Sequence, residues 1–401
     1  MRNRSNHILF IVENNDVPYD RRVWLEATTL KEAGHDVSVV CPRSQRSRRR
    51  IEKLEGVRII RHPRLVEAAR PWQYLFEYTN ALFWEILVAL FLVVTHHVDV
   101  VHIANPPDAA FVLGPLLRFA GARIVFDQHD MSPEIYEDKF GRRDLVWRAL
   151  RWCERQSIRF ADLVITPNES MKRLASERAG KDPEAVHVVR NGPKLEAATE
   201  TTEDPGLRNG RQYLVTYMGI IGEQEGLDGL VRVIDDIVHV RGRTDVQFAV
   251  IGDGTGLPAV REDVRSRGLD DYVTFTGYLT GDAFMKALGS ADVCVCPEPP
   301  TFLNQHSTLI KLMDYMSLSK PVVAYDLVEA RVTGGDCVRW VPAGDEAGMA
   351  SEILRLLDDA DERKSLGYRA GERAATVLAW DKQAPHLLDA YEKLMKGTRD
   401  A

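Results

Sequence analysis

Between Ala291 and Arg331, three polar residues, Ser307, Lys311 and Asp314, recur at i, i+4 and i+7. That spacing lines one narrow face of a helix, while Leu309, Ile310, Leu312, Met313, Met316 and Leu318 supply its apolar stripe. Ser307 and Thr308 are expected at the helix start, where free backbone N–H groups and the positive end of the dipole attract an anion. Lys311, one turn on, adds a mobile positive charge, and Asp314 can accept hydrogen bonds from hydroxyls. Together they suit a ligand with a diphosphate at one end and a polyol at the other. The same residues also fit a solvated stripe with a Lys–Asp pair at i, i+3.

The elements around this helix must aim it. ADVCVC, stopped by Pro297, Pro299 and Pro300, and PVVAY both read as buried strands. Strand, helix and strand make one βαβ unit, which places ligands beyond the carboxyl ends of its strands.

At 401 residues the chain is long enough for two domains. Its net charge of −7 is unevenly spread: residues 1–195 carry 30 Lys and Arg against 25 acids, the remainder 22 against 34. No nucleic-acid motif accompanies the basic half, so nucleic acid is not an expected partner. The five cysteines lack metal-site spacing, and Cys294 and Cys296 alternate along one strand. Free thiols in a reducing cytoplasm are expected. The apolar run His7–Val12 is too short for the core of a signal peptide.

In chain order, HILFIV and DVSVVC flank a helix ended by Gly34, a Rossmann-like opening. Its first turn holds Asn14 and Asn15 where a dinucleotide fingerprint needs glycines. Residues 43–70 carry ten Lys or Arg against three acids and read as a basic loop facing an anionic membrane, with Trp72, Tyr74 and Phe76 following. Ala81 to Val94 reads as a core helix, too short to span a bilayer. After the strand ARIVFD, His129 and Asp130 project from a carboxyl end, where His129 can bond a reacting group and Asp127 or Asp130 can orient it. The polar stretch 196–210 reads as an interdomain linker. A second strand–helix series begins at YLVTYMG, whose glycine-bearing loop GIIGEQEG offers a diphosphate seat. In FAVIGDGTG, Leu257 stands where a third fingerprint glycine is required, so this reads as a tight strand-to-helix turn. AWDKQAPHLLDAYEKLMKG closes the chain as an amphipathic helix.

In this order and spacing, DRRVWLEATTLKEAGHDVSVVCP, DQHDMSPEIY, VVRNGP, YMGIIGEQEGLDGL, VIGDGTG, ADVCVCPEPP and STLIKLMDYMSLSKPVVAYDL resemble the retaining glycosyltransferases of family GT4, especially the bacterial surface-polysaccharide branch. The resemblance implies an α/β GT-B fold, two Rossmann-like domains facing each other across a cleft. Residues 1–195 would bind acceptor, with a helix at about 380–401 packing back, and 211–379 the nucleotide sugar. It implies no cofactor and no catalytic metal. Asp359 to Asp361, the only D-x-D, lies in a charged helix-end segment. By position, His129 matches the family histidine near the reacting sugar and Asp314 the second acid of an E-x7-E motif. Glu298 is the remaining acid available to the catalytic set. Gly222, Asn304, Ser307, Thr308 and Lys311 fall on the donor side, and Asn15, Asp20, Arg21 and Asp130 on the acceptor side.

Three positions depart from the family pattern. His306 stands where the first acid belongs, and Ile220 and Glu225 replace the phosphate-binding Arg and Lys. The Gly-Gly pair of the first loop is missing as well. The expected activity is sugar transfer from a UDP- or GDP-sugar to a glycan or lipid-linked acceptor, in the cytoplasm or peripherally at the inner membrane face. A nucleotide-sugar epimerase and a non-catalytic sugar-nucleotide binder are the alternatives, with a dehydrogenase ranked last.

Overall fold

The computed structural model describes residues 6–44, 47, 49–63, 84, 87–108, 110–195 and 203–396. The chain divides into two compact units, Met1–Arg190 with Gln383–Ala401, and Asn191–Lys382. The first unit holds an eight-stranded sheet in the order β3-β4-β2-β1-β5-β6-β7-β8. Its strands are β1 His7–Ile11, β2 Asp36–Pro42, β3 Ile51–Leu54, β4 Val57–His62, β5 Val100–Ala104, β6 Arg123–Asp127, β7 Leu163–Thr166 and β8 Val186–Val188. All pairs are parallel except β3 with β4.

The two faces of this sheet have different fates. Leu9, Ile11, Val101, Ile103, Ile124 and Phe126 point to an apolar core shared with Leu92, Leu113, Leu117 and Ile158 of the covering helices. The intervening residues Phe10, His102 and Asp127 point the other way, as the period of two requires. There the Arg21–Glu32 helix brings Arg22 and Glu26, and the Trp380–Lys396 helix brings Tyr391.

Part of the 43–70 segment corrects the loop expectation. IEKL and VRIIRH form an antiparallel hairpin whose turn has both Glu55 (φ 47°) and Gly56 (φ 83°) in the left-handed region. Such a two-residue turn matches the twist of its strands. Arg61 is buried there, 2.6 Å from Glu52 and donating to Val17 O at 2.6 Å, so it cannot serve a basic surface. Residues 45, 46, 48 and 64–83, with Trp72, Tyr74 and Phe76, lie outside the described residues.

The second unit holds six parallel strands in the order β11-β10-β9-β12-β13-β14. They are β9 Tyr213–Met218, β10 Val246–Ile251, β11 Val273–Gly277, β12 Val293–Cys296, β13 Val322–Tyr325 and β14 Arg339–Val341. One face packs Val215, Phe248, Val293 and Val323 against helices 227–235 and 346–358; the other buries Cys294, Cys296 and Ala324 under helix 310–317. Cys294 and Cys296 are free thiols within that second core.

Residues 196–202 of the expected linker lie outside the described residues. The remainder is largely exposed but held at two residues. Leu207 is buried beside Leu214 and Ile251, and Arg208 donates to Ser290 O at 3.1 Å and pairs with Asp292 at 2.5 Å. One apolar anchor and one half-buried arginine tie this polar stretch to the second unit.

Candidate functional site

In the second unit, Lys311 is the centre of a buried cluster at the carboxyl ends of β9 and β12. Its Nζ lies 2.6 Å from Glu298 Oε1, 2.6 Å from Glu225 Oε2 and 2.9 Å from the Tyr217 hydroxyl. Two of the three ammonium donors go to Glu225 and Tyr217, and Glu298 adds an ion pair. Tyr217 also donates to Glu225 Oε2 at 3.1 Å, and its ring centroid sits 4.4 Å from the ammonium. Glu298, Glu225 and the Tyr217 ring hold Lys311 charged against the burial that opposes it. Burial pushes the Glu298 carboxyl up, with Lys311 acting against that rise. The mobile cation expected from sequence is therefore a fixed one.

Glycine turns surround this ammonium because nothing larger fits. A Cβ on Gly219 would stand 2.8 Å from both Lys311 Nζ and the Tyr217 hydroxyl. Gly226, at φ +71°, would carry one 2.2 Å from Pro297 O. The glycine-bearing loop thus lies directly on the proline loop after β12. Asn304 fastens the two by donating to Gln224 O and Pro299 O, both at 3.0 Å. Gly222 caps the short turn Glu223–Glu225 that leads to the Leu227–Asp235 helix.

The expected helix over Ser307 to Asp314 is instead two. Phe302–His306 ends when Ser307 N donates to Leu303 O at 2.9 Å and Ser307 turns extended (φ −90°, ψ 144°). Ile310–Ser317 then starts from Leu309. Ser307 and Thr308 therefore precede the second helix instead of opening it, and only Lys311 and Asp314 share its face. Both are buried. His306, in the place of the first acid, stacks on Phe302 with ring centroids 4.2 Å apart.

In the first unit, Asp127, the last residue of β6, accepts from Arg22 Nε at 3.1 Å and Nη2 at 2.8 Å. It also pairs with His129 Nε2 in a short contact. Glu26 Oε1 lies 3.1 Å from Arg22 Nη2. His102 Nε2 stands 3.4 Å from both Glu26 Oε2 and Asp127 Oδ2, while its Nδ1 lies 2.7 Å from the Tyr391 hydroxyl. With Tyr391 donating to Nδ1, the neutral His102 tautomer directs Nε2–H at the carboxylates.

Burial and the neighbouring Asp127 charge push the Glu26 carboxyl up to about 8. Arg22 and His129 hold Asp127 well below the usual carboxylate range despite its burial. Against its own burial, Asp127 raises the His129 imidazole, whereas burial lowers His102. One carboxylate thus keeps its charge and the other keeps a proton. Asn105 shapes the loop: its Oδ1 accepts from His129 N at 2.6 Å and Asp130 N at 3.1 Å. Glu26, His102 and Asp127 offer ligand atoms within 4.8 Å of one another. The Arg22 guanidinium already spans both carboxylates, so an internal cation rather than a metal ion suits this set.

Asp127, not Asp130, orients His129. Arg22 is the buried arginine of this cluster, while Arg21 beside it is exposed, as is Asn15. Asp20 caps the Arg21–Glu32 helix, accepting from Val23 N at 3.1 Å. Arg22, Glu26, His102, Tyr391, Tyr217 and Glu225 complete the two clusters beyond the residues expected from sequence. The Arg22–Glu26 pair at i, i+4 was the visible signal.

Over 98% of this chain, the structure resembles a sucrose-phosphate synthase from Thermosynechococcus elongatus, at TM-score 0.79 and 17% identity, covering all of that chain. HepE from Anabaena, solved with UDP and glucose, matches 97% of this chain and 100% of its own at TM-score 0.72 and 15% identity. Two parallel α/β units with these neighbours define a GT-B fold. Residues 20–196 match the model described as Glycosyltransferase Family 4, and residues 212–359 that described as Glycosyl transferases group 1. The chain belongs to the GT4-type glycosyltransferases. Among its relatives, a 2-deoxystreptamine N-acetyl-D-glucosaminyltransferase from Streptomyces fradiae is 29% identical over 277 residues, 66% of this chain and 64% of its own. An alpha-D-kanosaminyltransferase from Streptomyces kanamyceticus is 24% identical over 254 residues, 61% and 64% respectively. The match spans less than two thirds of the length of these relatives.

Proposed function

We propose that this chain is a retaining glycosyltransferase that moves a sugar from a UDP- or GDP-sugar to a glycan or lipid-linked acceptor in polysaccharide assembly. The observation that carries this reading is the Lys311 ammonium, held by Glu225, Glu298 and Tyr217 beside glycine turns at the carboxyl ends of β9 and β12. A diphosphate entering here takes over donors now given to Glu225, the more exposed of the two glutamates. Burying a diphosphate without a partner is costly, and Lys311 supplies the charge that Ile220 and Glu225 do not.

Gly222, Asn304, Ser307 and Thr308 surround the donor in this scheme, with Asp314 and Glu298 as the acids of the second unit. His129, fixed through Nε2 on Asp127, offers Nδ1 to a sugar hydroxyl. Asn15, Asp20, Arg21 and Asp130 lie on the acceptor side. The leaving diphosphate is stabilised by Lys311 and backbone N–H groups, so the scheme needs no metal or other cofactor. HepE, the neighbour solved with UDP and glucose, supports a uridine donor.

Incubation with UDP-, GDP-, dTDP- and ADP-sugars and a panel of glycan and lipid-linked acceptors tests the proposal. The expected result is transfer that keeps the anomeric configuration, read by proton NMR, and is lost in Lys311→Ala and Asp314→Ala. An inverted product overturns the retaining mechanism, and normal turnover in both variants overturns the site. The close pairing of Lys311 with Glu225 and Glu298 favours one second reading, a sugar-nucleotide binder without turnover. Binding with no product on any acceptor would select it.

A further inference from the structure

Three helices of the first unit present their apolar residues to solvent. The connections β4 to β5, β5 to β6 and β6 to β7 join parallel strands, which places their helices on one face of the sheet. Their inner residues share one core: Leu92 and Val93, Leu113 and Leu117, and Ile158. On the helix that includes residues 87–96, Leu87, Phe91 and Val94 recur at i, i+4 and i+7 on the outer side, Phe91 62% and Val94 74% exposed. On the Ala110–Phe119 helix, Val112, Leu116 and Phe119 repeat the same spacing, and Phe119 is 96% exposed. Single exposed apolar side chains are ordinary, but two helices with apolar residues on both faces are not.

The third helix, Leu145–Phe160, adds charge. Leu145, Arg148, Trp152 and Arg155 line its outer face, and Trp152 meets Phe111 of the second helix edge-on at 5.1 Å. Arg148 and Arg155 have no partner among the described residues. These two helices carry five arginines and a single acid, Glu154, which is buried against Arg151 and Arg178. The surface is therefore an apolar and aromatic centre edged by unpaired cations.

We infer that this three-helix face is a docking surface for an anionic lipid bilayer, with Phe91, Leu116, Phe119 and Trp152 entering the interface and Arg148 and Arg155 meeting the headgroups. Charge complementarity selects a negative surface, and the aromatic and aliphatic tips select one with an apolar interior. Among the described residues no helix is long and apolar enough to cross a membrane, so the contact lies in the plane of the interface. This face is formed by residues that belong to neither charge cluster and does not depend on the chemistry proposed for them.

The full chain is sedimented with vesicles of phosphatidylglycerol and phosphatidylcholine, and with phosphatidylcholine alone, in low and high salt. Wild type should bind the anionic vesicles and release in high salt. The pair Phe91→Asp/Phe119→Asp should lower partitioning at least about tenfold, and Arg148→Glu/Arg155→Glu should lower it by a similar factor and remove the salt dependence. Thermal midpoints confirm that these surface variants fold. Absence of binding to anionic vesicles overturns the inference. So does binding that both pairs leave unchanged, which places lipid contact elsewhere, for example at Arg49 and Arg50. A wild-type dimer that Phe91→Asp/Phe119→Asp converts to monomers also overturns it, because a second copy then covers the face.

Discussion

The two units each set two carboxylates around a buried cation, yet they balance the charge in opposite ways. Around Asp127 there are two carboxylates, an arginine that stays charged and two histidines that can change state. Glu26 holds a proton up to about 8, so a spare negative charge is in reserve. Around Lys311 there is one cation for two glutamates and a phenol, and among the described residues no second cation pairs with those glutamates. The first cluster adapts by moving a proton; the second adapts only by changing partners. That difference suits the first to hold a histidine in a set state and the second to accept an outside anion.

Removing each cluster's central charge should expose this contrast. Lys311→Met strands the buried Glu298 beside the half-buried Glu225 and should cost about 3–5 kcal/mol in urea unfolding. Replacing Glu298 as well, by Gln, should recover part of that loss. Asp127→Asn should cost less, about 2 kcal/mol, because Glu26 can ionise in its place beside Arg22. It should also lower the His129 pKa, followed by NMR, since Asp127 is what raises it. A raised imidazole stabilises the fold below its ordinary 6.5, and that contribution fades as pH rises through the folded value. Asp127→Asn should therefore lose the His129 contribution on the acid side of that window, in addition to the Arg22 pairing that Asp127 keeps at every pH above its ordinary 3.8. Equal losses in Lys311→Met and Asp127→Asn would end the contrast.

Glu26 gives a sharper test of the proton reserve. Its carboxyl is raised from 4.5 to about 8, so between those values the folded state holds a proton that the unfolded state has released. Stability from this group falls as pH rises across that window and is level on either side. The difference between wild type and Glu26→Gln should show a slope of up to about 1.4 kcal/mol per pH unit from pH 5 to 8. A level difference across that range would mean that Glu26 is already ionised. Smallest of all, Tyr391→Phe removes one hydrogen bond to His102 and should cost about 1 kcal/mol.

Much of the fold was legible because parallel strands buried on both faces read as apolar runs. HILFIV, ARIVFD and ADVCVC each lie on a strand of the structure. The hairpin at 51–62 was also written in the alternation around Glu55-Gly56, but the density of arginines drew the reading towards a loop. The clusters were harder. Lys311, Glu298 and His129 stand out by type and position, yet their partners arrive through tertiary distance. Tyr391 reaches His102 across 289 residues, which no local spacing predicts. Glu225 was visible only as a missing cation, when its role in the structure is to hold the cation supplied by Lys311. The helical spacing of Ser307, Lys311 and Asp314 continues through a break that the extended backbone at Ser307 and Leu309 makes.

Calorimetric titration of UDP into wild type, Lys311→Met and Glu225→Gln is the most direct test of the donor seat. If Lys311 trades Glu225 for a diphosphate, Lys311→Met should weaken binding at least about tenfold. Glu225→Gln should tighten it by a similar factor, since the competing carboxylate is gone. Unchanged binding in Lys311→Met, or weaker binding in Glu225→Gln, would contradict the exchange.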